Sequence, residues 1–216
     1  MSRGFVFDAK TAIKLQKLIA SRVSVEKLDK KPEIIAGVDA SYSRKREVGV
    51  GAAVAYDADS LRIIDKVYTV VRVRIPYIPG LLAFREIPCI ASAISMLSVE
   101  PDVTLVNGHG VAHPREAGLA CHLGVALNIR CIGVARRRLV GEEIESNGRR
   151  LVLYKNKVVA EVLSRGKNKI YVSVGNRISL DEAVEIVRRV WVKGILPDPL
   201  READELSRRV RRELVS

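Results

Sequence analysis

A chain of 216 residues, 48% of them apolar, is long enough to bury a substantial core as one domain. It holds 37 Lys and Arg against 25 Asp and Glu, a net charge of +12, which favours polyanionic partners and above all nucleic acid. No run of about twenty uncharged apolar residues is present to span a membrane, and three scattered cysteines without a Cys-x-x-Cys pair argue against a disulfide framework or a structural zinc site.

The opening "MSRGFVFDAK" lacks the apolar core and cleavage site of a secretory signal, so the expected location is cytoplasmic. Behind Asp8, a candidate N-cap, the apolar residues Ile13, Leu15, Leu18 and Ile19 predict an amphipathic helix. Three β-rich runs follow at 33–42, 48–57 and 61–75, joined by short polar turns that suit antiparallel neighbours. In "IPCIASAISML" the spacing of Ile90, Ile94 and Leu97 predicts a helix to about residue 98, with Pro88 in its first turn. The short apolar run 102–107, a helix over 116–127 and a second run at 131–135 read as strand, helix, strand, with the right-handed crossover that pairs strands in parallel. A hairpin turning at Lys155–Lys157 and a strand at 170–175 come next. Ser179 with Glu182 marks a capping box, and a charged helix from about residue 199 closes a single domain spanning 1–216. Three antiparallel strands followed by parallel strands alternating with helices give an α/β class, a mixed sheet in the strand order of a ribonuclease H-like fold.

Basic clusters stand at 43–47, 136–138, 165–169 and 207–213, and together they favour phosphate contact over an ordinary solvated surface. Chemistry is suggested by Asp39, a carboxylate inside the apolar run "IIAGVDASY", where burial is costly unless something answers the charge. Glu86 lies just ahead of the predicted helix, and Asn107 ends its strand at the carboxyl edge, where open sheets bind ligands. Should the three converge, their oxygens suit magnesium, which orients water and stabilises charge on a phosphate. Asp102 and Asp181 read as strand-start and helix-start acids and stay outside that set. His122 reads as structural, while His109 and His113 flank a tight glycine turn.

The segments "AGVDASY", "PYIPGLLAFRE", "NGHGVAHPREAGLACHLG" and "IGVARRRL" resemble, in order and spacing, the signature segments of the endonuclease V family, over roughly residues 10–200. The resemblance implies a ribonuclease H-like fold and a nuclease using Mg2+, with Mn2+ able to substitute. Such an enzyme nicks DNA or RNA at the second phosphodiester 3′ of deoxyinosine or inosine, and a monomer suffices for that chemistry. By resemblance Asp39 and Glu86 match two family metal carboxylates, and Tyr77 matches the aromatic wedge, with Ile78 and Pro79 in the same substrate-binding loop. Gly80, Leu82 and Gly110 match the pocket for the extruded base, and His113 a histidine near the scissile phosphate. Three positions depart from the family. Asn107 stands where a metal-binding aspartate is usual, Arg136 where a catalytic lysine is usual, and Asn176 where many members have histidine. The neutral amide at 107 implies weakened metal binding and a slowed enzyme. A rival expectation is an inosine-binding protein of the same fold without hydrolysis.

Overall fold

The computed structural model describes residues 7–43 and 46–215. Arg44 and Lys45 of the basic cluster at 43–47 lie outside them, as do the first six residues. Helix α1 (Ala9–Ala20) starts where expected, with the Asp8 carboxylate accepting the N–H groups of Lys10 and Thr11. Strands β1 (Ile34–Ser43), β2 (Val48–Asp57) and β3 (Ile63–Arg72) form the antiparallel trio. Helix α2 (Leu82–Ile94) leads to β4 (Val103–Asn107), α3 (Leu119–Leu127) and β5 (Cys131–Ala135). Strands β1, β4 and β5 are mutually parallel in that order. Then come β6 (Glu142–Ser146), β7 (Arg149–Tyr154), β8 (Lys157–Arg165), β9 (Asn168–Asn176), α4 (Leu180–Val190) and α5 (Asp198–Val215). Among the described residues nine strands make one sheet in the order β3-β2-β1-β4-β5-β9-β8-β7-β6, with β9 antiparallel to both of its neighbours.

Several boundaries differ from the sequence reading: α2 ends at Ile94 and not near 98, and β3 spans less than 61–75. Helix α2 begins six residues before Pro88, so the proline sits inside the helix and Glu86 in its second turn, not ahead of it. The start is set by Gly80, whose φ of 78° turns the chain into the helix. Proline removes one helical N–H, and burial of Cys89, Ile90 and Ala93 holds the helix together across it. Helix α3 starts at Leu119, not 116, because Glu116 adopts φ of 56°, outside the helical region. Strand β6 was not anticipated. It pairs with β7 through Asn147–Gly148, both at positive φ, which is the favoured two-residue hairpin turn.

Alternation along β1 distributes the layers. Val38 packs among Ile90, Ala93, Leu119 and Leu123 of α2 and α3. On the opposite face Ile35 joins the core under α4, with Val184, Val187 and Trp191. Helix α5 covers the β2 side of that face through Ala203, Leu206 and Val210. The backbones approach so closely that a Cβ on Gly37 would lie 2.2 Å from the Pro199 carbonyl carbon, and one on Gly51 would lie 2.1 Å from the Cys89 oxygen. The sheet can therefore carry helices on both faces only with glycine at these points. Among the described residues no helix is long and apolar enough to cross a membrane.

The seat of α5 on β1 is testable. Gly37→Ala should push α5 away and cost about 1–3 kcal/mol, read as a lower urea midpoint with an unchanged slope; an unaltered midpoint would show that the contact is slack.

Candidate active site

Because β1 and β4 run parallel with Val38 beside Val106, the next residues of each, Asp39 and Asn107, meet on one face. The Asn107 amide Nδ2 donates to Asp39 Oδ1 at 2.9 Å, and Ser207 Oγ of α5 donates to Asp39 Oδ2 at 2.9 Å. Both carboxylate oxygens are thus held by neutral donors. Burial, followed by the charge of Asp204, pushes the Asp39 carboxyl up to about 6, while the two donors oppose the rise. Glu86 is also buried, and burial and then the Asp39 charge push it up to about 8, with Arg85 opposing. The Arg85 guanidinium itself stacks 4.4 Å above the Tyr42 ring, while the Tyr42 hydroxyl donates to the Arg85 carbonyl. Asn107 and Asp39 are thus in contact, and Glu86 is close enough to feel the Asp39 charge.

Asp204 and Ser207 were not singled out from the sequence, where they lie inside a charged amphipathic helix. Asp204 forms an ion pair with Arg208 at 2.8 Å, and its carboxyl is raised by burial. Arg136, directly after β5, acts electrostatically on Asp204 and so stands at the same edge of the sheet. Among the described residues no three His, Cys, Asp or Glu side chains form a ready ion-binding group. The oxygens open to a cation beside Asp39 are those of Asp39 itself, Glu86 and the Asn107 amide. The donor set is otherwise all hard oxygen, which fits magnesium or manganese in type and falls short of it in charge.

One residue beyond Asn107, Gly108 lines a cleft of about 230 Å³ together with Tyr77, Gly80, Leu82, His109 and His113. Leu82 lies one helical turn before Glu86, so α2 and the end of β4 each contribute both to the cleft and to the polar cluster. Tyr77 is 61% exposed on the rim. Ile78 shapes the turn by accepting the Leu81 N–H, with Pro79 between. Gly110 does not line the cleft. A Cβ there would lie 1.9 Å from the Val174 oxygen, so Gly110 is pressed beneath β9, with its N–H donating to Ser173 Oγ. His113 belongs to the cleft: its Nδ1 accepts from the Arg115 N–H, and Arg115, His109, His122 and the Gly80 backbone are its electrostatic neighbours. Burial lowers His109, His113 and His122 to about 4, so all three are neutral near pH 7. His122 packs edge-on to Phe84. The Gly108 N–H is engaged by the carbonyls of Val106 and Val134.

Asn176 lies away from this cluster. It donates to the Gly124 and Ile129 carbonyls and accepts from the Ser24 N–H, tying β9 to the end of α3. Asp102 accepts from the N–H groups of Glu33 and Ile34, and Asp181 pairs with Arg149, both structural roles.

A sequence profile described as Endonuclease V matches residues 17–205. The Endonuclease V of Aeropyrum pernix is 45% identical over 203 residues, covering 94% of this chain and 80% of its own length. That of Ignicoccus hospitalis is 43% identical over 210 residues, covering 96% and 98%. The crystal structure of Endonuclease V from Streptomyces avermitilis has a TM-score of 0.90 at 34% identity, covering 99% of this chain and 97% of its own. Endonuclease V of Ciona intestinalis, in complex with a 24mer DNA containing an inosine followed by a ribo-adenosine, has a TM-score of 0.84 at 27% identity, covering 96% and 100%. The nine-stranded mixed sheet is the ribonuclease H-like architecture common to these proteins. With a family profile matched over 17–205 and relatives aligned over more than nine tenths of its length, the chain belongs to the endonuclease V family of endonucleases.

Proposed function

We propose that this protein nicks DNA or RNA at the second phosphodiester 3′ of deoxyinosine or inosine, using a divalent cation, at a rate held down by Asn107. The observation that carries the reading is the adjacency of cleft and polar cluster, one residue apart at Asn107–Gly108 and one turn apart at Leu82–Glu86. A base drawn into the cleft leaves its own strand's phosphates beside the oxygen donors. The inosine-containing DNA bound by the Ciona relative supports this choice of substrate.

Asp39, Glu86 and the carbonyl oxygen of Asn107 would hold the cation, with Asp204 behind Asp39. When bound, the cation supplies charge neutralisation at the phosphate and activation of a water. To take part, Asn107 has to turn its amide, because Nδ2 now faces Asp39. Tyr77, exposed between two prolines, is suited to fill the gap left by the extruded base. Gly80, Leu82 and His113 wall the base off from water, and neutral His113 serves there as part of the pocket. Arg136, together with Arg208 and Arg211 of α5, offers positive charge to the backbone on the polar-cluster side.

The second reading, an inosine-binding protein without hydrolysis, is favoured by one contact, the amide proton of Asn107 occupying an Asp39 oxygen that a cation would need. A labelled inosine strand separates the two: nicking supports the enzyme, and selective retention without nicking supports the binder. Asn107→Asp should raise the nicking rate at low magnesium by about tenfold or more; equal rates would refute the role given to residue 107.

The raised carboxyls also make a pH prediction. Folding makes Asp39 and Glu86 bind protons that the unfolded chain releases, and this stabilisation is lost as pH rises through about 6 and then about 8. The histidines act in the opposite sense below their ordinary value of 6.5, since burial lowers them. The loss at Glu86 is complete near 8, and above that the buried cysteines, whose thiols burial raises, begin to act in the same sense, so the window that isolates Glu86 is about pH 7 to 8. Across it, without divalent ions, the thermal midpoint should fall, and Glu86→Gln should flatten the slope. A midpoint that rises in the parent protein would contradict the assignment.

A further inference from the structure

Helix α1 is amphipathic in sequence, yet its buried residues are Ala12 and Gln16, while Leu15 and Leu18 are each 45% exposed. What it delivers to the interior is chiefly one amide. Gln16 is 1% exposed, and both of its amide donors and its amide oxygen are engaged. Nε2 donates to the Gly80 carbonyl at 3.1 Å and to the Ala117 carbonyl at 2.8 Å, and Oε1 accepts from Arg115 Nε. Arg115 Nη2 closes the ring by donating to the same Gly80 oxygen at 2.7 Å. Gly80 ends the loop that carries Tyr77, and Ala117 precedes Gly118; Gly80 and Gly118 line the cleft, and Gln16 lines it between them. Two walls from segments more than thirty residues apart are therefore joined through a third, distant helix.

We propose that Gln16 is a positioning residue that fixes the separation of these two walls, and so sets how strictly the cleft selects hypoxanthine over other bases. The proposal rests on the reading of the cleft as a base pocket. Its physical basis is that a base-sized slot discriminates only when its walls cannot relax, and two carbonyls tied to one amide cannot move apart without leaving a buried donor unpaired. The Gly80 carbonyl is held twice, by Gln16 Nε2 and by Arg115 Nη2, so it is tied to the opposite wall by both side chains.

The test is equilibrium retention of a labelled strand carrying one inosine, against the same strand with adenine at that position. It compares the unsubstituted protein with Gln16→Glu and Gln16→Leu. Gln16→Glu keeps the shape and the acceptor for Arg115 and loses both donors, so it remains informative if Gln16→Leu fails to fold. The inosine-to-adenine affinity ratio should fall about tenfold, while affinity for the adenine strand stays within about twofold. General loosening of the fold would instead lower both affinities together and overturn the proposal, as would a parental ratio retained by Gln16→Glu. If the unsubstituted protein itself shows no preference for inosine, the pocket reading fails and Gln16 falls with it, an outcome visible before any substitution is made.

Discussion

A carboxylate cannot stay charged inside a sheet unless something answers it, and at Asp39 the answer is two neutral donors. That constraint organises the surrounding structure. It needs Asn107 at the matching position of the parallel neighbour, and Ser207 on a helix packed closely enough to reach the strand. The glycine at 37 permits that packing, because no side chain separates β1 from the start of α5. Amide and hydroxyl donors lower the cost of burial without cancelling it, which is why Asp39 and Glu86 are still pushed upward. The unrelieved charge makes the cluster a place where a cation would be welcome.

The antiparallel half of the sheet has a separate task. Strands β7 to β9 build a small core with Ala112, drawn from the loop between Asn107 and α3. Tyr154 and Lys155, at the end of β7 and in the turn after it, reach the Pro114 carbonyl, and Lys155 also pairs with Glu116. The loop that supplies His109 and His113 to the cleft is therefore braced from the sheet side, while Gln16 holds it from the opposite side. On the sheet side, a cleft made from loops gains rigidity in this way from residues that do not line it.

Much of this was legible in the sequence because local signals agreed with the fold. An acid amid apolar β-branched residues marked Asp39, the end of an apolar run marked Asn107, and a lone aromatic between prolines marked Tyr77. The residues that escaped notice owe their roles to distance along the chain. Ser207 reaches Asp39 across 168 positions, and Gln16 reaches Ala117 across 101, so no local spacing announces either contact. A faint signal existed in each case, a small residue amid arginines at 207 and a polar residue on the buried side of α1 at 16. Pro88 misled for a physical reason: proline is most at home in a first turn, and here tertiary packing carries it inside the helix. Strand β6 was overlooked although Asn147–Gly148 is the usual mark of a tight hairpin.

The geometry around Gly108 bears on the chemical lifetime of the site. An asparagine followed by glycine ordinarily ages by cyclisation, in which the next backbone nitrogen attacks the side-chain carbonyl carbon to form a succinimide. That nitrogen is the one whose N–H is shared between the carbonyls of Val106 and Val134, within the end of β4. The amide of Asn107 is meanwhile anchored on Asp39. The folded chain thus withholds the nucleophile and fixes the electrophile, so spontaneous conversion to an acidic side chain is slowed for as long as the strand end stays intact.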